Sequence, residues 1–161
     1  MQGSKRHGKG RLIWKQGGRY DGYWKMSERE GSGAMHYADN SYYIGQWKDD
    51  MRNGYGVYYL MEGHKYEGEF RDNKFHGEGK YVWPDDSVYE GNWKNGLRDG
   101  KGSMTFSGNS QYEGDWVKDK INGQGKMFWS FNGDRYQGMF REGVPDGQGI
   151  YTYSTGAQAN G

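Results

Sequence analysis

One phrase recurs six times in this chain at an almost constant interval, and that periodicity restricts the fold more than any other feature. Aligned on Tyr-x-Gly-x-aromatic, the copies are Tyr20/Gly22/Trp24, Tyr43/Gly45/Trp47, Tyr66/Gly68/Phe70, Tyr89/Gly91/Trp93, Tyr112/Gly114/Trp116 and Tyr136/Gly138/Phe140. Successive tyrosines are 23, 23, 23, 23 and 24 residues apart. A Gly-x-Gly follows each at fixed distance: Gly31/Gly33, Gly54/Gly56, Gly77/Gly79, Gly100/Gly102, Gly123/Gly125 and Gly147/Gly149. With the partial copy Gly8/Gly10, the motif absorbs 20 of the 30 glycines. Self-similarity at such a period marks a repeat array, in which each unit is completed by its neighbours.

Alternation converts the phrase into strands, because residues i, i+2 and i+4 of a strand share one face. Tyr89, Gly91 and Trp93 point one way while Glu90 and Asn92 point the other. After each Gly-x-Gly the same face continues with Leu12/Trp14, Met35/Tyr37, Tyr58/Leu60, Tyr81/Trp83, Met104/Phe106, Met127/Trp129 and Tyr151/Tyr153. Each repeat therefore reads as a β-hairpin with one face of rings and glycines. Turn chemistry stands inside the hairpins (Asp72-Asn73, Lys94-Asn95-Gly96) and between them (Gly17-Gly18, Asp39-Asn40, Pro84-Asp85, Gly108-Asn109, Asn132-Gly133). The residue that lengthens one interval to 24 falls between Ser130 and Arg135, in a connection where insertion costs little. Glycine weakens a strand unless something must approach it closely, so the Gly-x-Gly pairs are expected to be bare sockets for neighbouring rings.

Only 32% of the chain is hydrophobic, which by itself would suggest disorder, but the net charge is +1 and the chain lacks the self-repulsion that accompanies it. The missing apolar mass is aromatic: 28 rings, each burying about 150–250 Å². The near balance of charge argues against a nucleic-acid binder. No cysteine is present, which removes disulfides and thiolate chemistry and fits a reducing compartment. No apolar run reaches the roughly 20 residues of a membrane-spanning helix, and the N-terminus lacks the apolar stretch of a signal peptide. A cytoplasmic setting is expected.

The phrase Tyr-x-Gly-x-Trp-x-x-Gly-x-x-x-Gly-x-Gly resembles the MORN (membrane occupation and recognition nexus) repeat over residues 7–153, nearly the whole chain. Two departures are visible: Phe replaces Trp at Phe70 and Phe140, and the middle glycine survives only at Gly96 and Gly143. The resemblance implies an all-β fold, an elongated single-layer twisted antiparallel sheet of tandem hairpins with a curved groove. In this reading residues 1–19 are the second half of a repeat, residues 20–153 six full repeats and residues 154–161 a flexible tail. Counting back 23 from Tyr20 puts Met1 at a ring position with residues 2–7 in a turn, and the chain is expected to be a piece of a larger protein.

Chemistry finds little purchase. No G-x-G-x-x-G or Walker sequence accompanies the glycines, which sit in strands rather than at a helix N-terminus. His7 and His76 occupy one repeat position shared with Glu30, Asn53, Asp99, Asn122 and Asp146, a polar turn position rather than a ligand set. His36 and His64 lack partners at ligand spacing. Glu67, Glu90 and Glu113 recur about 10 Å apart, unsuited to a cooperating acid and base. The expectation is a protein that is not an enzyme and holds no metal and no cofactor.

Three surfaces remain as candidate sites. The aromatic face has no second layer to cover it, and exposed apolar surface marks partner sites. Its motif rings, Tyr20, Trp24, Tyr43, Trp47, Tyr66, Phe70, Tyr89, Trp93, Tyr112, Trp116, Tyr136 and Phe140, are expected to line a groove for an extended or helical segment of a partner protein. On the reverse face, Ile44, Tyr55, Val57 and Tyr59 form a second apolar patch, a candidate for self-association or a second partner. Lys25, Lys48, Arg71, Lys94 and Arg141 form a basic row that could meet anionic lipid at up to about 1 kcal/mol per charge. Asp21, Glu67, Glu90 and Glu113 run nearby, so a mixed solvated surface is the favoured reading of that row. By resemblance the setting is a ciliary or cytoskeletal assembly, such as a radial-spoke-like complex of the axoneme, or the cell cortex. A phosphoinositide-targeting module and the regulatory array of a larger enzyme are the alternatives.

Overall fold

The computed structural model describes residues 3–161, so the placement expected for Met1 lies outside the described residues. Fourteen strands follow one another in a single open sheet whose spatial order is the chain order. They are β1 (Gly8–Ile13), β2 (Arg19–Lys25), β3 (Glu28–His36), β4 (Tyr42–Lys48), β5 (Met51–Tyr59), β6 (Lys65–Arg71), β7 (Lys74–Val82), β8 (Val88–Lys94), β9 (Leu97–Thr105), β10 (Gln111–Val117), β11 (Lys120–Phe128), β12 (Arg135–Arg141), β13 (Val144–Thr152) and β14 (Gln158–Asn160). Every pairing is antiparallel. Thirteen steps of about 4.8 Å give a sheet roughly 62 Å long.

A two-residue turn closes each hairpin with both central residues at positive φ, as in Asp72 (47°) with Asn73 (69°) and Asn95 (50°) with Gly96 (84°). That is the geometry whose twist matches the flanking strands. Between hairpins, the residue that follows the strand donates to the carbonyl four positions on, as Trp83 after β7 does to Ser87. The exception is Trp129, which reaches five positions on to Asp134, so the inserted residue is absorbed within that turn and register is kept.

The two glycines of each Gly-x-Gly do different work, which corrects the expectation that both are sockets. The first sits in the left-handed region, from 61° at Gly77 to 112° at Gly123. It relieves a bulge: between the pairs Gly22↔Gly33 and Trp24↔Arg29, one residue of β2, Tyr23, faces three of β3, Glu30, Gly31 and Ser32. Because the surplus is even, the faces of the strand are not exchanged. Only the second glycine is a socket. These glycines pair across the sheet with those of Tyr-x-Gly, Gly10↔Gly22, Gly33↔Gly45 and so on to Gly138↔Gly149, in one continuous row.

The C-terminal residues differ from the expected flexible tail. Residues 158–160 form a strand on β13 with Ala159 opposite Tyr151, and Gly161 exchanges two backbone hydrogen bonds with Gly149. Ala159 and Gly161 thus hold the tyrosine and glycine places of a further repeat.

Candidate functional site

The motif rings form a ladder. In the order Trp24, Tyr20, Trp47, Tyr43, Phe70, Tyr66, Trp93, Tyr89, Trp116, Tyr112, Phe140, Tyr136, each ring meets the next edge to face, with centroids 4.9–5.5 Å apart and planes at 78–90°. Each tyrosine lies across its own hairpin on the second glycine. A Cβ added at Gly102 would come within 2.2 Å of the Tyr89 hydroxyl oxygen and 2.5 Å of its ring. All six hydroxyls donate to the carbonyl three residues on, as Tyr89 does to Asn92 at 2.7 Å. The tryptophans reach back one hairpin: Trp24, Trp47, Trp93 and Trp116 donate Nε1–H to Gly10, Gly33, Gly79 and Gly102. Phe70 and Phe140 forgo that bond and keep the ring contact.

Burial follows, and it overturns the expected groove lining. Tyr20, Tyr43, Tyr66 and Tyr89 are 0% exposed, Tyr112 is 1%, and all twelve rings belong to the core. Loss of water pushes the Tyr20 and Tyr112 hydroxyls up to about 12 and raises Tyr43, Tyr66 and Tyr89 as well. A single-layer sheet can bury its rings because each glycine leaves depth for one ring and the next hairpin's ring covers it.

Sequence reasoning passed over the position nine residues after each tyrosine. There Arg29 and Arg98 clamp the following hairpin, binding the carboxylate and carbonyl of Asp50 and Asp119, and Arg52 grips Asn73 in the same way. Their guanidiniums lie over Trp47, Trp116 and Tyr58 at 4.4–4.6 Å from the ring centroids. Burial alone would raise Asp50 and Asp119, but the arginine hydrogen bonds and charge outweigh it and hold both below the usual carboxylate range. Phe75 takes the same place in its repeat, stacked on Tyr66 at 3.9 Å, so it joins the aromatic face although it lies outside the repeated phrase.

What stays open on this face is a second row, made by the residue seventeen positions after each motif tyrosine together with Trp14, its equivalent in the leading partial repeat. Trp14, Tyr37, Leu60, Trp83, Phe106 and Trp129 are half-buried and Tyr153 is 46% exposed. Each stands where a strand ends and a turn begins, and Tyr37, Trp83, Trp129 and Tyr153 lie against Tyr58, Tyr81 and Tyr151 while leaving part of each ring open. Beside this row Tyr58, Leu60, Met61, His64, Tyr81, Asp39 and Ser41 enclose a notch of about 250 Å³. The Tyr81 hydroxyl and His64 Nδ1 meet there at 2.8 Å.

The reverse face is of another kind. Ile44, Tyr55 and Tyr59 are 46, 55 and 45% exposed, and Val57 pairs with Ile44, so the second patch exists where expected. It is not purely apolar: the Tyr55 hydroxyl donates to Glu67 at 2.7 Å, and Lys65 Nζ stands 5.4 Å from the Tyr59 ring centroid. Beyond it, three adjoining depressions of about 570, 580 and 530 Å³ run from Tyr55 towards Gln158. Glu67, Glu78, Glu90 and Glu113 oppose Lys80, Lys101, Lys126 and Arg135 along them. Lys25, Lys48, Arg71, Lys94 and Arg141 are all exposed at the hairpin ends, interleaved with the turn residues Asp49, Asp72 and Glu142. No helix among the described residues is long and apolar enough to cross a membrane, and they contain no cluster of side chains that could hold a metal ion.

Fold and face together define a class: a tandem β-hairpin array, cored by its own ring ladder, with an open row of side chains along one edge. The MORN repeat model matches seven times, at residues 2–19, 20–42, 43–65, 66–88, 89–111, 112–130 and 136–158, and the chain belongs to the MORN repeat family. No curated protein sequence matches it. Among solved structures, it is similar to the TCP10c domain of Drosophila melanogaster Sas-4, with a TM-score of 0.51 and 15% identity over 98% of each chain. A second similar structure is the TCP domain of Drosophila SAS-4 (dCPAP) in complex with a proline-rich motif of Ana2, with a TM-score of 0.50 and 14% identity over 94% of this chain and 88% of that one. At such identity the likeness is one of fold.

Proposed function

We propose that this protein is a non-catalytic scaffold that holds a short segment of a partner protein along the row Trp14, Tyr37, Leu60, Trp83, Phe106, Trp129 and Tyr153. The observation that carries the reading is that every repeat leaves one large apolar side chain partly exposed at the same strand end, in line with the next. Contiguous apolar surface of this kind marks an interaction site. The reverse-face depressions are larger, but their acids and bases oppose one another, so they offer water a better surface than an apolar partner. The Sas-4 domain, similar in fold, is bound to a motif of Ana2, which is in keeping with this reading. A ciliary or cytoskeletal assembly is the proposed setting, on family grounds.

A benzophenone side chain installed at Met61, which is 53% exposed beside the notch, tests the site directly. In extract from ciliated cells it is expected to crosslink a partner protein, and the crosslink should vanish in a Tyr37→Ser/Trp83→Ser variant whose unfolding midpoint shows it folded. Crosslinking only from a probe at Ser103, on the reverse face, would move the site there. Retention on phosphatidylserine vesicles with no protein crosslinked would make the array a membrane module.

A further inference from the structure

The row has a pitch, and the pitch selects a ligand. Two strands separate neighbouring row positions, so at 4.7–4.9 Å per strand they recur about every 9.4–9.8 Å along the sheet. A polyproline II helix advances about 3.1 Å per residue with three residues per turn, about 9.3 Å per turn, and presents the same face at every third residue. Over three consecutive repeats the mismatch accumulates to no more than about 1 Å. An extended β segment, with side chains on one face every 6.6 Å or so, is about 3 Å out of step after one repeat, and two turns of α-helix, about 10.8 Å, overshoot every repeat by about 1–1.4 Å.

Charge narrows the choice further. The three turns that flank Tyr37, Leu60 and Trp83 are Ala38–Asn40, Met61–Gly63 and Pro84–Asp86, with four exposed acids, Asp39, Glu62, Asp85 and Asp86, and no base. Asp39 and Asp85 accept hydrogen bonds from Ser41 and Ser87 of their own turns, which hold both below the usual carboxylate range. The notch between Tyr58 and Tyr81 lies at the centre of this stretch.

Resting on the site proposed above, we infer that the occupant is a basic polyproline II segment. It places proline or another apolar residue at i, i+3 and i+6 against Tyr37, the notch and Trp83, with Lys or Arg between them facing Asp39, Glu62, Asp85 and Asp86. Proline-rich segments reach aromatic surfaces with little ordering cost because their conformation is already set.

The full chain is panned against a displayed library of random 12-residue peptides, and the enriched sequences are resynthesised and measured by fluorescence anisotropy. Enrichment is expected for proline at a spacing of three with interspersed Lys or Arg. Glu62→Gln/Asp86→Asn, which removes two exposed charges while keeping Asn at the left-handed turn position of Asp86 (φ 68°), should weaken those peptides about tenfold without moving the unfolding midpoint. Selected peptides that lose binding in Trp83→Ser but carry apolar residues at a spacing of two or of 3.6, or acidic ones, overturn the inference and leave the proposed function standing. Enrichment that ignores Trp83→Ser, or none, overturns both.

Discussion

Gly45 and Ile44 are neighbours on β4 and live under opposite constraints. A Cβ at Gly45 would stand 2.5 Å from the Gly56 Cα and 2.6 Å from the Tyr43 hydroxyl oxygen, whereas Ile44 is 46% exposed on the other side of the sheet. Compared repeat by repeat, the position of Gly45 is glycine every time, while that of Ile44 is Asp21, Glu67, Glu90, Glu113 and Gln137 elsewhere. One face of this sheet is a packed core with room for hydrogen only; the other answers to solvent and to whatever binds there. A single layer can hold both because the core is built from rings lying flat on backbone rather than from a second layer.

If the ring face is the core, ionising it should destroy the fold. Tyr20, Tyr43, Tyr66, Tyr89 and Tyr112 stand above the ordinary value near 10 in the folded protein, so their neutral form is favoured by folding. Their contribution is fully present below about pH 10 and is lost as pH rises through the folded values, about 12 for Tyr20 and Tyr112. Cooperative unfolding in that alkaline window is expected, read by near-ultraviolet circular dichroism with tyrosinate absorbance. Ionisation of all tyrosines without unfolding would break the comparison.

Single changes sharpen it. Tyr89→Ala removes a fully buried ring from the middle of the ladder and should cost about 3–5 kcal/mol in urea unfolding. Gly45→Ala adds one carbon where neither backbone nor ring can yield, and about 3 kcal/mol is expected; Ile44→Ala beside it removes three carbons at a cost of about 0.5–1 kcal/mol. Equal losses from that pair would show the faces to be alike. Smallest of all should be Tyr55→Lys/Tyr59→Lys, with a stability change within about 0.5 kcal/mol. Light scattering tests self-association through that patch: a mass that falls from dimer to monomer in this variant would assign it a second role.

Much of this was legible. The interval of 23, the hairpins, the shared face of rings and glycines and the insertion near Asn132 follow from alternation and turn chemistry, and the structure has them. The site was legible only in part, because the motif names the most regular residues and regularity here reports burial. Tyr20 and its equivalents repeat because a socket must be filled. The row from Trp14 to Tyr153 keeps the same spacing with a varied side chain, and alternation assigns it to the same face and says nothing of depth. The arginine clamps escaped because Arg29, Arg52 and Arg98 share their place with Phe75 and Ile121, a mixture that reads as noise until the stacked turns are seen.

The sequence by itself determined the array: an interval that one hairpin fills, with ring and glycine on alternate positions, leaves no other way to pair the strands. Only the tertiary structure decided which rings are core and which are surface. That outcome depends on distances between hairpins, on a bulge at each first glycine and on which ring the next repeat covers, and none of these is a property of a residue's own place in its strand.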